Sequence, residues 1–503
     1  MRRLFVLLVL VLAASCGRGP QKTAQGISFW YWNTPFQLAE PQVKELKQLG
    51  VRELFVKAGT LSNDGEGLVP IMPQRWAQGA ADFPIHLVYN MDSGALRHFE
   101  EFTVAAMSKA VLDRYAIDAR LAKEAGQTVK GLQVDFDVPT RLLPKYEELL
   151  RALRAGLSKG EELSMTSLPT WFGSNDFAGV VAQVDFYLPQ FYDTSVPKTL
   201  SELKAISDRD SLKKGLDQAA RLGRPFYAGV SSFGRALLYD PDQSLQGAYT
   251  GMSPDQAMRH PSFVLEAEIE TPEERLLRFH AIKPGANGKG NGWYLVFRIP
   301  KPSAVAEDLA LVRDSRGGLC KGAAMFRVPE TEESMALPLS AILAQIEGKA
   351  PTPDLKVTAK VERNPFSRIE KQAEDDRVSV TLWFENRGVE PLQTGENALS
   401  VEVHWPSGSV DELGKGGFDQ VDPNNAGMRS SLKASDGALA RQWSMRVGER
   451  VSLGPILLKP GTLLNCDWSA RTLSGSAANG SYRFDWNDKD VQKENGAHRA
   501  GSR

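Results

Sequence analysis

The chain has 503 residues, 42% hydrophobic and 24% charged, enough to bury a sizeable core and more than one ordinary domain uses. Its 60 Lys and Arg against 61 Asp and Glu leave a formal net charge of −1, with no basic half and no long charge run. The electrostatic footprint of a nucleic-acid binder is missing, so nucleic acid is not an expected partner.

The first residues pair a basic start (Arg2, Arg3) with an apolar run from Leu4 to Leu12 and then Ala13-Ala14-Ser15-Cys16. This is a secretory signal pattern over residues 1–16, its apolar run too short to span a bilayer. Small residues directly before a cysteine resemble the bacterial lipobox. That resemblance implies lipidation at Cys16 and attachment to the cell envelope, with an ordinary cleaved signal as the alternative. Gly17 stands where an aspartate would signal inner-membrane retention, so the outer membrane, facing the periplasm, is expected. Residues 17–26 read as a polar tether.

Only Cys320 and Cys466 follow Cys16, so a disulfide framework is not expected. There is no C-x-x-C, no H-E-x-x-H, and the six histidines are scattered singly. Spacing therefore predicts no metal and no cofactor.

Over residues 27–350, short apolar runs alternate with amphipathic helical patterns. Strands are predicted at Ile27–Trp32, Glu53–Lys57, Ile85–Met91, Gly131–Asp137, Leu163–Leu168, Val184–Gln190, Phe226–Val230 and Gly322–Val328. Intervening helices are predicted at Gln42–Leu49, Phe102–Glu124, Tyr146–Leu157 and Ser303–Arg313. Eight such strands match an α/β fold of the (β/α)8 TIM-type, with a doubly wound sheet as the alternative. Between about 231 and 302 a β insertion is expected, with strands at Phe263–Glu270, Arg275–Ile282 and Trp293–Pro300 around the glycine-rich Gly285–Gly292. After Ala350-Pro-Thr-Pro353 the pattern turns to alternating strands, among them Leu355–Val361, Arg377–Asn386, Leu399–His404 and Arg450–Leu457. Residues 354–486 thus predict an all-β sandwich-like domain. Residues 487–503 are polar, without apolar periodicity, and predict a disordered tail.

In such a barrel the site forms at the C-terminal ends of the strands. Alternation along Gly131-Leu-Gln-Val-Asp-Phe-Asp137 puts Gln133, Asp135 and Asp137 on one face. Carboxylates two residues apart on a strand are about 6.6 Å apart at the backbone, so mutual repulsion is expected to keep one protonated. A protonated acid beside a carboxylate is what glycosidic cleavage uses; helix capping or an arginine pair is the plainer role. The sixth strand ends in Gln190 and Tyr192 on a shared face, where a phenol could bond a sugar or simply close the barrel mouth. Trp32, Asn33, Tyr89, Asp92, Trp171 and Arg327 complete a predicted aromatic and polar rim suited to a glycan.

Gly131–Pro139, the helix Tyr146–Arg154 and Leu163–Trp171 together resemble the bacterial domain-of-unknown-function family 3142, over most of the barrel. More distantly, Lys130–Asp137 resembles the D-G-x-D-x-D-x-E strand of family-18 glycoside hydrolases. Gln190-Phe-Tyr-Asp193 resembles their Q-F-Y-[DN] segment, and Gly322–Arg327 their last strand, G-G-x-M-x-W. The resemblance implies Asp137 as general acid, Asp135 as its partner and Tyr192 as support for a substrate-derived intermediate. Asp137 stands where that family has glutamate, an alternative alignment puts Pro139 there, and Arg327 replaces a tryptophan. Three functions follow. One is a carbohydrate enzyme of the envelope; another is a non-catalytic glycan-binding or envelope-assembly lipoprotein. In the third, the barrel spaces the sandwich from the membrane for a protein partner of unknown kind.

Overall fold

The computed structural model describes residues 26–485 apart from 66, 80–81, 194–196, 204–205, 284–290, 316–317, 331–332, 350–351, 364–376 and 424–435. The expected signal peptide, Cys16, most of the tether and the C-terminal tail lie outside the described residues, as does most of the glycine-rich segment.

The strands run β1 (Ile27–Tyr31), β2 (Val51–Asn63), β3 (Leu68–Ile71), β4 (Ile85–Met91), β5 (Val129–Asp135), β6 (Glu162–Ser167), β7 (Phe186–Pro189) and β8 (Phe226–Ser231). Five inserted strands follow, β9 (Arg235–Tyr239), β10 (Leu245–Ala248), β11 (Phe263–Glu270), β12 (Glu274–Ala281) and β13 (Tyr294–Pro300), before β14 (Cys320–Phe326). The order β1-β14-β8-β7-β6-β5-β4-β2, closed by parallel pairing of β1 with β2, makes an eight-stranded parallel barrel. Closure rules out the doubly wound sheet. β3 adds an antiparallel edge on β2, so β2 runs longer than its apolar core predicts.

The barrel strands form because both of their faces are buried, which makes each a nearly continuous apolar run. All five residues of β1 are buried. The helix Val104–Glu124 starts where Thr103 accepts a hydrogen bond from the Ala106 amide at 3.1 Å. It buries Met107, Val111, Tyr115, Ala119 and Ala122, one stripe at helical spacing. Leu143–Gly156 does the same with Tyr146, Leu149, Leu150 and Leu153. Closure is tightest at Gly322, where φ is +138° and an added Cβ would fall 1.7 Å from the Gly26 carbonyl oxygen. Gly322→Ala is therefore expected to lower stability by about 2–3 kcal/mol, read as a lower urea midpoint.

Packing divides the chain into two compact units. One holds Met1–Pro189, Ala219–Ala228 and Val312–Met325; the other holds Gln190–Gln218, Gly229–Leu311 and Phe326–Arg503. In the second, the insert forms an antiparallel sheet in the order β10-β9-β13-β12-β11. The C-terminal strands are β15 (Leu355–Arg363), β16 (Val378–Asn386), β17 (Leu399–His404), β18 (Val410–Leu413), β19 (Gln420–Pro423), β20 (Gly437–Gln442), β21 (Arg450–Leu458), β22 (Leu463–Arg471) and β23 (Ala477–Asp485). They form two antiparallel sheets, β15-β16-β21-β18 and β19-β20-β17-β22-β23, around a shared core that includes Leu382, Phe384, Val401, Trp405 and Ile456. This is a sandwich-like domain. Cys320 and Cys466 are both buried, Cys320 on the barrel strand β14 and Cys466 on β22 of the sandwich. Insert and sandwich are joined where the Arg259 guanidinium grips both oxygens of Asp419 at 2.8 and 3.1 Å. A second junction runs through Glu268, which takes Arg275 and the Glu396 amide.

Asp308, on the helix Pro302–Asp314, is buried beside Ser207, and its carboxyl is pushed up to about 6. Burial is the main cause, opposed by the Ser207 hydroxyl and the charge of Arg209. An acid that holds its proton more tightly when folded favours folding at low pH. That contribution fades as pH rises from about 4, the unfolded value, and is gone above the folded value. Asp308→Asn is expected to match the parent protein near pH 4 and to exceed it by up to about 3 kcal/mol above pH 6, measured by denaturant unfolding across that range.

Candidate functional site

β5 carries the central residues. Gln133 is fully buried, accepting from Trp30 Nε1 at 2.8 Å and donating to Ser164 Oγ at 3.2 Å. Its amide is consumed inside the barrel, so the predicted substrate contact is instead an internal rung. Two residues on, Asp135 is half-buried and accepts from Thr166 Oγ1 at 2.6 Å. Asp137 lies just past the end of β5 and is exposed.

Lys57 on β2 joins this group. Burial lowers its ammonium below the usual value while the charge of Asp135 raises it. Its Nζ also sits 5.4 Å from the centroid of Trp32, a cation–π arrangement. Trp32 and Asn33 are half-buried, and the Asn33 carbonyl accepts from Gln74 Nε2 at 2.8 Å. Sequence reasoning missed Lys57, although a lone cation in the apolar run Glu53-Leu-Phe-Val-Lys57 was a visible signal. Behind β5, the fully buried Tyr146 hydroxyl has no hydrogen-bond partner among the described residues. Burial pushes it well above the usual phenol value, and the charges of Asp135 and Asp137 push it further.

Three rim residues take other places. Tyr89 turns its hydroxyl to Asp118 Oδ2 at 2.8 Å on the helix Val104–Glu124, where Arg114 also binds that carboxylate. Trp171 is 1% exposed, donates Nε1 to the Val138 carbonyl at 3.1 Å and packs against Tyr146 and Phe177. Asp92 caps the helix Ser93–Arg97, accepting from the Ala95 amide at 2.7 Å. Its carboxyl is lowered by a hydrogen bond from Ser62 and then by that amide. In all three the polar atom already serves the fold, and a structural role replaces the expected ligand contact.

The second unit holds the remaining predicted residues. Gln190 pairs with Gly229 at the strand end, and Tyr192 stacks on Phe326 with ring centroids 6.2 Å apart. Arg327 pairs with Glu333 and lies 4.8 Å over the Phe233 ring. Burial raises the Glu333 carboxyl, and Arg327 draws it back. Tyr192, Phe233, Tyr249, Phe326 and Arg327 line a cavity of about 610 Å³. Asp255 and Gln256 of the insert and Arg446 of the sandwich also face it. Several aromatic faces with a few polar groups in that volume are what a small organic ligand uses. Sequence reasoning found Tyr192 and Arg327 here but not the insert or Arg446, because spacing along the chain does not show which loop folds over which strand end.

Fold and strand-end residues define the class: a TIM-type α/β barrel with a β insert and a sandwich-like domain. Residues 103–250 match the model of the family described as Domain of unknown function (DUF3142). That span is narrower than the barrel and contains the three segments on which the resemblance was read. No protein of curated function matches the chain. Among solved structures, the spore cortex-lytic enzyme SleL of Bacillus cereus is 15% identical, covering 65% of this chain and 74% of its own, with a TM-score of 0.40. A chitinase of Chromobacterium violaceum is 13% identical, covering 64% and 98%, TM-score 0.41. A family-18 N-acetylglucosaminidase of Paenibacillus barengoltzii is 12% identical, covering 64% and 99%, TM-score 0.41. These are distant likenesses, and no residue's role rests on them.

Proposed function

We propose that the protein is a carbohydrate-active lipoprotein of the bacterial cell envelope, anchored through Cys16, that hydrolyses a glycan with Asp137 as general acid and Asp135 as its charged partner. The observation that carries this reading is the division of labour at the end of β5: Asp135 is tied to Thr166 and lies in the field of Lys57, while Asp137 is open to solvent. One anchored carboxylate beside one accessible carboxyl group supplies the two functions that glycoside cleavage needs. Trp32, half-buried next to Lys57, offers a stacking face for a sugar ring.

A second reading is glycan binding without cleavage. It is favoured by the aromatic cavity around Tyr192, Phe233, Tyr249 and Phe326, which suits sugar rings whether or not a bond is broken. The test is a reducing-sugar assay beside a glycan array, on the parent protein and on Asp137→Asn. Hydrolysis lost only in the variant supports the enzyme. Binding with no hydrolysis in either protein supports the second reading, and neither binding nor hydrolysis sinks both.

A further inference from the structure

At the N-terminal ends of the barrel strands three chemically matched side chains converge from three strands: Glu53 of β2, His86 of β4 and Glu162 of β6. His86 Nε2 stands 3.3 Å from Glu53 Oε2 and 3.5 Å from Glu162 Oε2, and the three atoms all lie within 4.8 Å of one another. His86 is fully buried and Glu53 nearly so. One ring nitrogen can give its proton to only one carboxylate. Among the described residues, Glu162 Oε2, itself closed off from solvent, has no hydrogen-bond donor, and the buried His86 Nδ1 has no partner. Two carboxylate oxygens are aimed at one imidazole nitrogen, and Lys130 reaches only the one on Glu53.

We propose that Glu53, His86 and Glu162 form a binding site for one divalent metal ion, with zinc as the ion the donors fit best, tying three strands together at this end of the barrel. Tetrahedral ligands held at about 2.0–2.1 Å from zinc stand roughly 3.3–3.4 Å apart, close to the two separations found. One imidazole and two carboxylate oxygens suit zinc. Two of the three ligands are held in place by their neighbours. The Tyr227 hydroxyl donates to Glu53 Oε1 at 2.5 Å and fixes that carboxylate's direction, and the rings of Phe55 and Phe186 flank His86 at 5.2 and 5.5 Å. Lys130 Nζ, 3.3 Å from Glu53 Oε2, is a competing cation, and Lys321 Nζ stands nearby over the rings of Phe186 and Tyr227 at 4.2 and 5.0 Å. The Lys130 side chain is 45% exposed, so it can turn out to water when a metal enters. Motif spacing gives no sign of the site, because each ligand comes from a different strand and no two are near in sequence.

The experiment uses the full chain, stripped with a chelator and titrated with zinc sulfate by calorimetry, with elemental analysis of the reloaded protein. One zinc per chain and a rise in the thermal midpoint on loading are expected. Glu162→Gln, at a part-exposed position, is expected to weaken that site at least about tenfold. Lys130→Met is expected to tighten it, an effect that a plain ion-pair cluster would not produce. Circular dichroism shows whether each variant is folded. Absence of stoichiometric zinc in the parent protein overturns the proposal, and so does unchanged affinity in a folded Glu162→Gln variant.

Discussion

Asp137→Asn is expected to lower glycan hydrolysis by about 10²- to 10⁴-fold, the range that loss of a general acid produces, with glycan binding within about twofold of the parent. Asparagine keeps the size and the exposed position past the end of β5 but has no proton to give to the leaving oxygen. The fall should sit in kcat, because the lost interaction belongs to the transition state. Asp137→Glu separates chemistry from a structural effect: it restores an acid one methylene longer and should recover activity at least in part. Reducing-sugar kinetics across pH check both. If Asp137→Asn hydrolyses at the parent rate, the acid lies elsewhere. If both variants are equally dead and bind glycan poorly, Asp137 shapes the site without donating a proton.

Arg298→Leu is expected to cost about 3–5 kcal/mol of stability. Arg298 on β13 is 1% exposed and grips both oxygens of Glu274 on β12, at 2.9 and 3.1 Å through Nη2 and 3.2 Å through Nε. Glu274 also accepts from the Ile206 amide at 3.1 Å. Burial already raises the Glu274 carboxyl, and the charge of Arg298 is what holds it down. Without the guanidinium the carboxyl rises further, so the folded chain binds its proton more tightly than the unfolded chain. The deficit therefore grows as pH climbs through that raised value and shrinks in acid. Adding Glu274→Gln, which removes the stranded charge and keeps an acceptor for Ile206, should return a substantial part of the loss. Urea unfolding at pH 5 and pH 8 tests this; equal deficits at both values, with no recovery in the double variant, would show that lost packing rather than charge sets the cost.

The barrel was legible because parallel strands buried on both faces announce themselves as apolar runs: Ile85–Met91 was placed to the residue, and β1, β6 and β8 to within one or two at each end. The same property hid the site. In a strand with two buried faces, alternation says which residues share a side but not whether that side meets the barrel interior or the helices. Tyr89 and Asn90 show this on β4, the first bonded outward to Asp118 and the second to Thr60. Gln133 faces the interior as expected but sits too deep to meet a ligand. In the insert, β11, β12 and β13 were read from their length, whereas β9 and β10, short and broken by Asp240-Pro241-Asp242, were not. The C-terminal strands were legible for the opposite reason, since one wet face and one dry face give clean period-two alternation, as in β17.

The grip of Arg259 on Asp419 bears on how such a chain could be inherited. A gene break at the Pro-Thr-Pro stretch after Lys349 looks like a natural seam, yet it would part this bidentate pair and strip Glu268 of the Glu396 amide. A barrel handed on alone would carry an insert whose charged face had lost its counterpart, and a sandwich acquired from elsewhere would need an acidic residue at the matching turn. Insert and sandwich are thus bound to change together, and exchanging either by recombination would cost the recipient the other's partners.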